Sequence, residues 1–403
     1  MTEGLLPPRE RRQDFLFQDR MSETDQILKQ TPLYALHQEL GGKLVPFAGY
    51  AMPVQYPAGI LKEHLHTREK AGLFDVSHMG QAFLSGADPA RALERLTPAD
   101  LAGLPEGMQR YGLLLNDAGG IKDDFMTTRL AGEPALYLVV NAATKDGDFA
   151  YMAAALKGAA ELKPQPERAL LALQGPMAAE VLERASPGIS SLTFMQAVRA
   201  TVAGAPAIVS RTGYTGEDGF EISLEGKDAE RVARALLADD RVLPIGLGAR
   251  DSLRLEAGLC LYGHDMDEAI DPVEANLIWS MGKRRKEARD FPGSGRIMEH
   301  LLNGAGRKRV GVRPEGRAPA REGTEIADKS GRVVGRITSG GFGPSLNAPL
   351  AMGYVESQFS APGTRLDLRV RGKAMPAEVV AMPFVPNRYK RPSKQQGKQE
   401  GAG

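Results

Sequence analysis

Residues 207–224, AIVSRTGYTGEDGFEISL, consist of two β-prone runs separated by a glycine-rich connection. Residues 207–211 and 220–224 are predicted as strands, because their side chains are mainly apolar or β-branched. The connection between them, TGYTGEDG, contains three glycines that allow the chain to turn back on itself. The stretch therefore predicts a long β-hairpin and, with it, antiparallel strands.

Segments on either side of this hairpin alternate between strand-like and helix-like patterns. Residues 135–140 form a short apolar run, and apolar side chains then recur at helical spacing over residues 149–156. Helices are also predicted over residues 228–237 and 248–257. The connections between many of the strands are too short for crossovers, so one or two α+β units with antiparallel strands are expected.

A further helix is predicted over residues 59–71, GILKEHLHTREKA. Ile60, Leu61 and Leu65 would lie together on one side of it among charged neighbours. This pattern is typical of a surface helix.

The pattern changes after about residue 304. From there the chain consists of short β-type segments separated by glycine and proline turns. Such spacing predicts a small all-β domain at the carboxyl-terminal side of the α+β units.

The composition is that of a globular chain of 403 residues, 42% of them apolar and 25% charged. This length exceeds what one hydrophobic core supports, so two or three domains are expected. Lysine and arginine number 51 against 50 acidic residues, so the net charge of +1 indicates no broad basic face for nucleic acid. No apolar run approaches the roughly 20 residues of a membrane span. The single cysteine, Cys260, excludes an internal disulfide and fits a reducing compartment.

The two ends of the chain have a different composition. Residues 1–30 mix basic and acidic side chains without the apolar segment of a secretory signal, so a flexible extension is predicted. Residues 393–403 are mostly lysine, glutamine and glycine, which bury too little surface to order themselves. A disordered tail is therefore predicted there.

Two adjacent carboxylates, Asp123 and Asp124, end the polar stretch NDAGGIKDD. Strands predicted over residues 111–115 and 125–129 flank this stretch and place both acids at the exit of a tight loop. Neighbouring side chains on an extended segment point to opposite faces, so at most one of the two can aim into a given cleft. Solvated turn acids are the more common outcome for such a pair, and a metal site lacks further ligands nearby.

Glu221 and Arg250 are the next candidates. Glu221 shares one face of its predicted strand with Ser223, and such alternation usually indicates a solvent-facing acid. Arg250 and Arg254 lie four residues apart on one helix face, where they could bind a carboxylate together. Alternatively, Arg254 could pair with Asp251 one turn earlier, which is the more frequent arrangement.

The histidines do not indicate a metal centre. His64 and His66 are two residues apart on a predicted helix, so they diverge by about 200° and do not form a zinc-binding pair. His78 and His264 lie beside turns, where a structural hydrogen bond is the ordinary role. No metal site is predicted.

Several blocks follow one another along the chain: AGLFDVSHMG (71–80), NDAGGIKDD (116–124), VVNAATKDGD (139–148), ALQGPMA (172–178), GYTGEDGFE (213–221), GLGARDSLRLEAG (246–258), ITSGGFGPSL (337–346) and MPFVPNRY (382–389). In this order they resemble the aminomethyltransferase family, the T-proteins of the glycine cleavage system. The resemblance covers residues 31–392. The blocks at 213–221 and 246–258 are its most specific parts.

The resemblance implies an α+β fold of three domains around a central funnel. Two mixed antiparallel α/β domains would have interleaved segments, and a C-terminal antiparallel β-barrel would complete the fold. The folate-binding domain would combine residues 31–82 and 164–265. The second α+β domain would combine residues 83–163 and 266–303, and the barrel would span residues 304–392.

The resemblance also implies a one-carbon transferase of glycine catabolism. Such an aminomethyltransferase takes an aminomethyl group from the lipoyl arm of the partner H-protein, releases ammonia and transfers the methylene carbon to tetrahydrofolate. Tetrahydrofolate as co-substrate and the lipoylated H-protein are thus the expected ligand and partner, with no metal, nucleic acid or membrane. The expected location is the cytoplasm, or the mitochondrial matrix in a eukaryote.

Particular residues match functional positions of the family. Asp124 aligns with the catalytic aspartate, which would accept a hydrogen bond from folate N5 and stabilise the positive charge that develops there. With an ordinary pKa of about 4, it would act by position and charge more than by removing the proton. Glu221 matches the acid that recognises folate, and Arg250 matches a substrate-binding arginine. Four more positions align with ligand-contacting residues: Tyr389, Tyr111, Asn141 and Tyr214.

The chain departs from the family pattern at Tyr50, where relatives commonly have tryptophan, and around residues 292–295. Two alternative functions stay open on this scaffold, a related folate-dependent demethylase and a non-catalytic folate-binding factor for iron–sulfur assembly. Loss of Asp124, Glu221 and Arg250 would have favoured the binding factor, and all three are present.

Overall fold

The computed structural model describes residues 27–392. The tail predicted for residues 393–403 and residues 1–26 of the predicted extension lie outside the described residues. Within the described part of the chain, no helix is long and apolar enough to cross a membrane.

Helices and strands are mixed up to residue 303, and strands dominate after it. The helices are α1 (Tyr34–Glu39), α2 (Ile60–Glu69), α3 (Pro89–Glu94), α4 (Lys145–Ala155), α5 (Ala178–Ala185), α6 (Gly226–Leu237), α7 (Leu247–Glu256), α8 (Lys283–Ala288) and α9 (Ser294–Asn303). The strands of the first part are β1 (Lys43–Phe47), β2 (Tyr50–Gln55), β3 (Ala71–Asp75), β4 (Gly80–Gly86), β5 (Met108–Leu115), β6 (Ile121–Arg129), β7 (Leu136–Val140), β8 (Ala160–Pro164), β9 (Arg168–Gln174), β10 (Ala197–Val202), β11 (Ala205–Ser210), β12 (Gly219–Glu225) and β13 (Val242–Ile245). The strands of the second part are β14 (Arg307–Pro314), β15 (Glu325–Ala327), β16 (Val333–Gly343), β17 (Ala348–Glu356), β18 (Arg365–Val370) and β19 (Lys373–Val380).

A six-stranded sheet in the order β10-β11-β12-β9-β3-β13 contains the hairpin predicted from residues 207–224. β11 and β12 pair antiparallel, with Ser210 opposite Glu221, which confirms the hairpin. Only the pair of β13 with β3 in this sheet is parallel. Helices α5 and α6 cover one face, where Leu182 and Val232 are fully buried in the core.

A five-stranded antiparallel sheet in the order β5-β6-β7-β4-β8 is formed by the chain between β3 and β9. The two sheets are therefore interleaved along the sequence. Their inner faces meet in a shared apolar cluster that includes Phe74 and Ala172 of the first sheet and Tyr137 and Val139 of the second. The residue boundaries of the two domains stay a prediction.

The last six strands form a closed barrel in the order β14-β17-β16-β15-β18-β19. Its interior is filled by side chains such as Val312, Ile337 and Leu368. Closure leaves no free sheet edge, which is how small antiparallel folds avoid unpaired backbone groups. The predicted fold class, α+β with a C-terminal antiparallel barrel, is confirmed.

The helix predicted at residues 59–71 forms as α2, but the side that it buries is polar and is not the side of Ile60, Leu61 and Leu65. Leu61 of α2 is 53% exposed, whereas Glu63, His64 and Arg68 are buried. Both carboxylate oxygens of Glu63 accept backbone N–H bonds, and Arg68 pairs with the buried carboxylate of Glu256 at 3.0 Å. Other elements of the fold supply hydrogen bonds to these buried polar groups, which offsets the cost of burying them. The spacing of apolar residues along the sequence does not indicate such contacts.

The predicted position of the two adjacent acids also differs from the structure. Asp123 and Asp124 lie inside β6 and not at a loop exit, because the loop closes earlier than predicted. Asn116 closes it by accepting a hydrogen bond from the backbone N–H of Gly120 through its side-chain oxygen at 2.9 Å.

Candidate active site

A cavity of about 2680 Å³ lies where the two sheets, α7 and the barrel meet. All seven side chains predicted from the sequence as site residues line this cavity, and each is partly accessible: Tyr111, Asp124, Asn141, Tyr214, Glu221, Arg250 and Tyr389. The fold thus gathers residues from both sheets, from α7 and from the chain after the barrel at one place.

Asp124 lies in the middle of β6, opposite Leu113 of β5. Burial and, next, the negative charge of Asp123 raise the pKa of Asp124 to about 7, while hydrogen bonds from Asn141 and Tyr111 oppose the rise. The ordinary pKa assumed from the sequence was therefore wrong. A carboxyl group with a pKa near 7 is better matched to accepting and returning a proton at neutral pH.

Asn141 follows directly after β7 and contacts both neighbouring acids. Its side-chain Nδ2 donates to Oδ1 of Asp124 at 2.6 Å and to Oδ1 of Asp123 at 2.8 Å. Asp123 is completely buried, so it is not a solvated turn acid. The two carboxylates are thus held by one amide, with only Asp124 lining the cavity.

Glu221 lies near the start of β12 and faces the cavity, not bulk solvent. The face it shares with Ser223 is covered by the second sheet, because Ser223 is 1% exposed and donates to Gln81 of β4. Burial raises the pKa of Glu221, and the positive charge of Arg250 counteracts this effect. The expectation of a solvent-facing acid was wrong, since only tertiary packing decides which face of a strand is covered.

Arg250 lies in the first half of α7 with its guanidinium carbon 4.7 Å from the centre of the Tyr214 ring. Tyr214 in turn donates its hydroxyl to the backbone oxygen of Cys260. Arg254, one turn later, pairs with both Asp251 and Asp265. Arg254 is thus held by acids of the protein, as the second sequence interpretation proposed, and Arg250 faces the cavity beside Tyr214.

Tyr389 reaches the cavity from the segment that follows the barrel. Its ring stacks on Phe194 at 4.1 Å between ring centres and 7° between planes. The segment is fixed by two backbone bonds, from Phe194 to Lys390 at 2.7 Å and from Arg388 to Gly216 at 2.8 Å. The segment after the barrel therefore contacts the connection of the central hairpin.

Sequence reasoning missed two residues of the cavity. His78 was expected to make a structural hydrogen bond, but its buried Nδ1 has no partner among residues 27–392. Burial lowers the pKa of His78 to about 3, so its ring is neutral. Trp279 stacks on Tyr111 with ring centres 5.1 Å apart and is 66% exposed. A single tryptophan in 403 residues was the one signal that could have drawn attention to it.

Among residues 27–392, no group of three or more histidine, cysteine or acidic side chains is placed to hold a metal ion.

Two family models match the chain in tandem. The family described as "GCVT N-terminal domain" matches residues 33–285, and the family described as "Glycine cleavage T-protein C-terminal barrel domain" matches residues 307–386. The chain belongs to the glycine cleavage T-protein family. The second match coincides with the closed barrel.

Relatives of this T-protein family chain are similar to it over nearly their whole length. A protein of Gallus gallus named "Aminomethyltransferase, mitochondrial" is 48% identical over 377 residues, which are 92% of this chain and 95% of the relative. A protein of the same name from Dictyostelium discoideum is 46% identical over 382 residues, 90% of this chain and 94% of the relative.

A solved structure agrees with the fold. The glycine cleavage system aminomethyltransferase T from Bartonella henselae is 45% identical, with a TM-score of 0.86, and the match covers 91% of this chain and 100% of that one. Family membership together with these relatives shows that the chain is an enzyme, an aminomethyltransferase of the glycine cleavage system.

Proposed function

We propose that this enzyme transfers the methylene carbon of an aminomethyl group from the dihydrolipoyl arm of H-protein to tetrahydrofolate. The C–N bond to the amine and the C–S bond to the arm break, and two bonds form from the carbon to N5 and N10 of the folate. The two protons lost from these nitrogens leave with ammonia and with the thiol. The observation that carries the proposal is the carboxyl group of Asp124 at the cavity wall, with its raised pKa.

Asp124 is proposed to receive the hydrogen of folate N5. Its carboxylate would accept a hydrogen bond from the N5–H group and orient the nitrogen lone pair toward the incoming carbon. It would also stabilise an iminium-like centre beside it. The pKa of about 7 allows the same group to take up the proton as the carbon–nitrogen bond forms. Asn141, bound to Oδ1 at 2.6 Å, would keep the carboxyl group in this orientation.

Glu221 and Arg250 are proposed to bind the folate itself. Two parallel bonds from the amino-pyrimidinone edge of the pterin suit the Glu221 carboxylate, which is shielded from bulk solvent. The planar guanidinium of Arg250 suits a folate carboxylate or carbonyl. Tyr111, Tyr214 and Tyr389 would then supply the aromatic walls of the site.

The proposed partner is the lipoylated H-protein, with no metal, nucleic acid or membrane involved. The cavity of about 2680 Å³ is large enough to admit a folate and a flexible arm together, since ligand sites for one small molecule range from about 300 to 1,000 Å³. The proposed location is the cytoplasm, or the mitochondrial matrix in a eukaryote.

The deciding experiment compares two carbon donors with the same folate. The enzyme is incubated with aminomethylated lipoyl H-protein and tetrahydrofolate, and ammonia release and methylene-tetrahydrofolate are measured. A parallel incubation replaces the donor by a methylated sulfur compound. We expect turnover only with the first donor, and turnover only with the second would instead identify a demethylase.

A further inference from the structure

Asp148 is a buried acid on α4 that the proposed reaction does not use. It is 3% exposed, and its Oδ2 atom has no hydrogen-bond partner among the described residues. Its carboxyl group contacts that of Asp123, which is itself completely buried. Two ionised carboxylates in contact and away from water repel each other strongly, so one of them must carry a proton.

Asp123 is the better placed of the two to hold the negative charge. It accepts hydrogen bonds from the backbone N–H of Asn141 at 3.2 Å, from Asn141 Nδ2 at 2.8 Å and from Thr144 Oγ1 at 2.8 Å. Three donors favour its ionised form. With a proton on Asp148, its carboxyl group could donate a fourth hydrogen bond to Asp123, and Oδ2, which has no partner among the described residues, would gain one.

Asn141 connects this pair to the cavity. The Nδ2 group that donates to Asp123 also donates to Asp124 at 2.6 Å. Only the nitrogen of the amide can donate to two carboxylates, so both bonds together fix the orientation of the side chain. A continuous path therefore runs from Asp148 through Asp123 and Asn141 to Asp124.

We propose that Asp148 and Asp123 share one proton, and that this carboxyl pair positions Asn141 and, through it, the reacting carboxylate of Asp124. The inference rests on the proposed role of Asp124 in transfer. Asp148 is a positioning residue in this scheme, because it touches neither the cavity nor the proposed substrate.

The surroundings of the pair support protonation at neutral pH. Burial and the charge of Asp123 raise the pKa of Asp148 to about 9, and Lys122 and Thr144 only partly oppose this. Lys122 forms an ion pair with Glu268 at 3.3 Å, so its positive charge is paired with an acid other than Asp148 and Asp123. Tyr262 also faces the pair, and its pKa is raised by burial and by the nearby acids, so it stays neutral.

The sign of the pH dependence follows from this arrangement. The proton on Asp148 is present below a pH of about 9 and is lost above it. Loss of the proton places two negative charges together, and the repulsion would displace Asn141. The transfer rate should therefore fall at alkaline pH for a reason that is separate from the titration of Asp124 near pH 7.

The test uses two substitutions of the same residue in the full-length enzyme. Asp148→Asn keeps a hydrogen-bond donor toward Asp123 and cannot ionise, whereas Asp148→Ala removes the donor. We expect Asp148→Asn to retain kcat within about threefold and to lose the decline of the rate at alkaline pH. We expect Asp148→Ala to lose kcat by about tenfold or more with little change in KM, which is the effect of losing one hydrogen bond to a charged group. Asp146→Asn, an exposed acid on the same helix, is the matched control and should change neither kcat nor the pH profile.

Infrared difference spectroscopy at about pH 8, where Asp124 is mostly ionised and Asp148 keeps its proton, gives a readout without substrate, and it remains available if Asp148→Ala fails to fold. The spectrum of the parent minus that of Asp148→Asn should contain the carbonyl band of a buried protonated carboxyl group. Absence of this band from the difference, or a rate in Asp148→Asn as low as that in Asp148→Ala, would overturn the shared proton. Parent kcat and parent pH profile in Asp148→Ala would overturn the positioning role.

The same measurements separate this inference from the proposed function. Asp124→Ala should abolish most transfer while keeping the infrared band of the pair. If Asp124→Ala instead transferred carbon at the parent rate, the proposed role of Asp124 would fail, and the band would still report on Asp148 and Asp123.

Discussion

Asp124 gains its chemistry from its neighbours in the structure. An exposed aspartate is a weak base, but burial and the charge of Asp123 raise the pKa of Asp124 to about 7. Asn141 and Tyr111 donate hydrogen bonds to it and limit the rise. Asp124 can therefore act as a base and an electrostatic partner near neutral pH.

Replacing Asp124 with alanine removes its carboxyl group and tests whether carbon transfer depends on it. The substitution should keep folate affinity but lower the transfer rate on the order of 100-fold, since one well-placed polar group contributes about 2 to 3 kcal/mol to the transition state. Single-turnover formation of methylene-tetrahydrofolate is the measurement. Asp117→Ala, at an exposed position of the same hairpin, is the control and should leave the rate unchanged. Equal rates in Asp124→Ala and the parent would contradict the role.

The pH dependence of kcat/KM should follow the ionisation of Asp124. The ionised carboxylate is the form that accepts a hydrogen bond from folate N5–H, so kcat/KM should rise with pH through a midpoint near 7. Asp123→Asn removes a negative charge that raises this pKa, so the midpoint should move to lower pH. An unchanged or higher midpoint in Asp123→Asn would refute the assignment of this pH dependence to Asp124.

Substitution of Glu221 should act on binding. Glu221→Ala removes two charge-assisted hydrogen bonds proposed for the pterin, so the Kd for tetrahydrofolate should rise by about tenfold or more, with a smaller effect on the rate of the bound complex. Titration by tryptophan fluorescence or calorimetry measures this. Glu225→Ala, an exposed position of the same strand, is the control. Equal affinity in Glu221→Ala and the parent would count against the proposed contact.

At the scale of single elements, strand β16 shows how close packing of backbones restricts side chains. A Cβ atom added at Gly340 would lie 1.8 Å from the backbone oxygen of Ala320. The adjacent Gly341 has more space, because its nearest neighbour would be Leu255 Cδ2 at 3.4 Å. The two glycines therefore differ in what they tolerate although they are next to each other in the sequence.

The pair Gly340→Ala and Gly341→Ala tests this difference. The first should lower the free energy of unfolding by about 1 to 3 kcal/mol, as overpacking does, while the second should change it little. Thermal unfolding followed by circular dichroism measures both. Equal Tm values for the two variants would mean that the strand and the segment before it are not as close as the structure describes.

At the scale of the whole molecule, a buried polar network ties the helices to the barrel. Glu256 of α7 accepts hydrogen bonds from Arg68 at 3.0 Å and from Ser345 Oγ at 2.7 Å, and its Oε2 lies 3.1 Å from His64 Nε2. Burial opposes ionisation of Glu256, but the hydrogen bond and charge of His64, together with Ser345 and Arg68, lower its pKa below the ordinary value. The network thus joins α2, α7 and the connection between β16 and β17.

Replacement of Glu256 with alanine should destabilise the protein by about 3 to 5 kcal/mol, because Arg68 would be left buried with one acid fewer. Urea unfolding measures the loss, and Glu299→Ala, on the exposed face of α9, is the control. The contribution of Glu256 should be present above its ordinary pKa and be lost as the pH falls through its lowered pKa, which follows from the sign of the shift. A stability difference between Glu256→Ala and the parent that grows under acid would contradict this sign.

Local patterns in the sequence were sufficient for much of the fold. The hairpin of residues 207–224 and the all-β character of the last domain were predicted because alternation of apolar side chains and turn residues acts over a few neighbouring positions. The ordered blocks of residues identified the family and, through it, the seven positions that line the cavity. These features depend on which residues are present and on their order.

Only the tertiary structure decided the features that depend on distant contacts. The buried polar face of α2, the covered face of Glu221 and the raised pKa of Asp124 arise from elements far apart in the sequence. Solvation and charge act through space, so a residue's burial and ionisation are set by whatever packs against it. The sequence therefore indicated which acids to examine, and the packing of two sheets determined the environment of each.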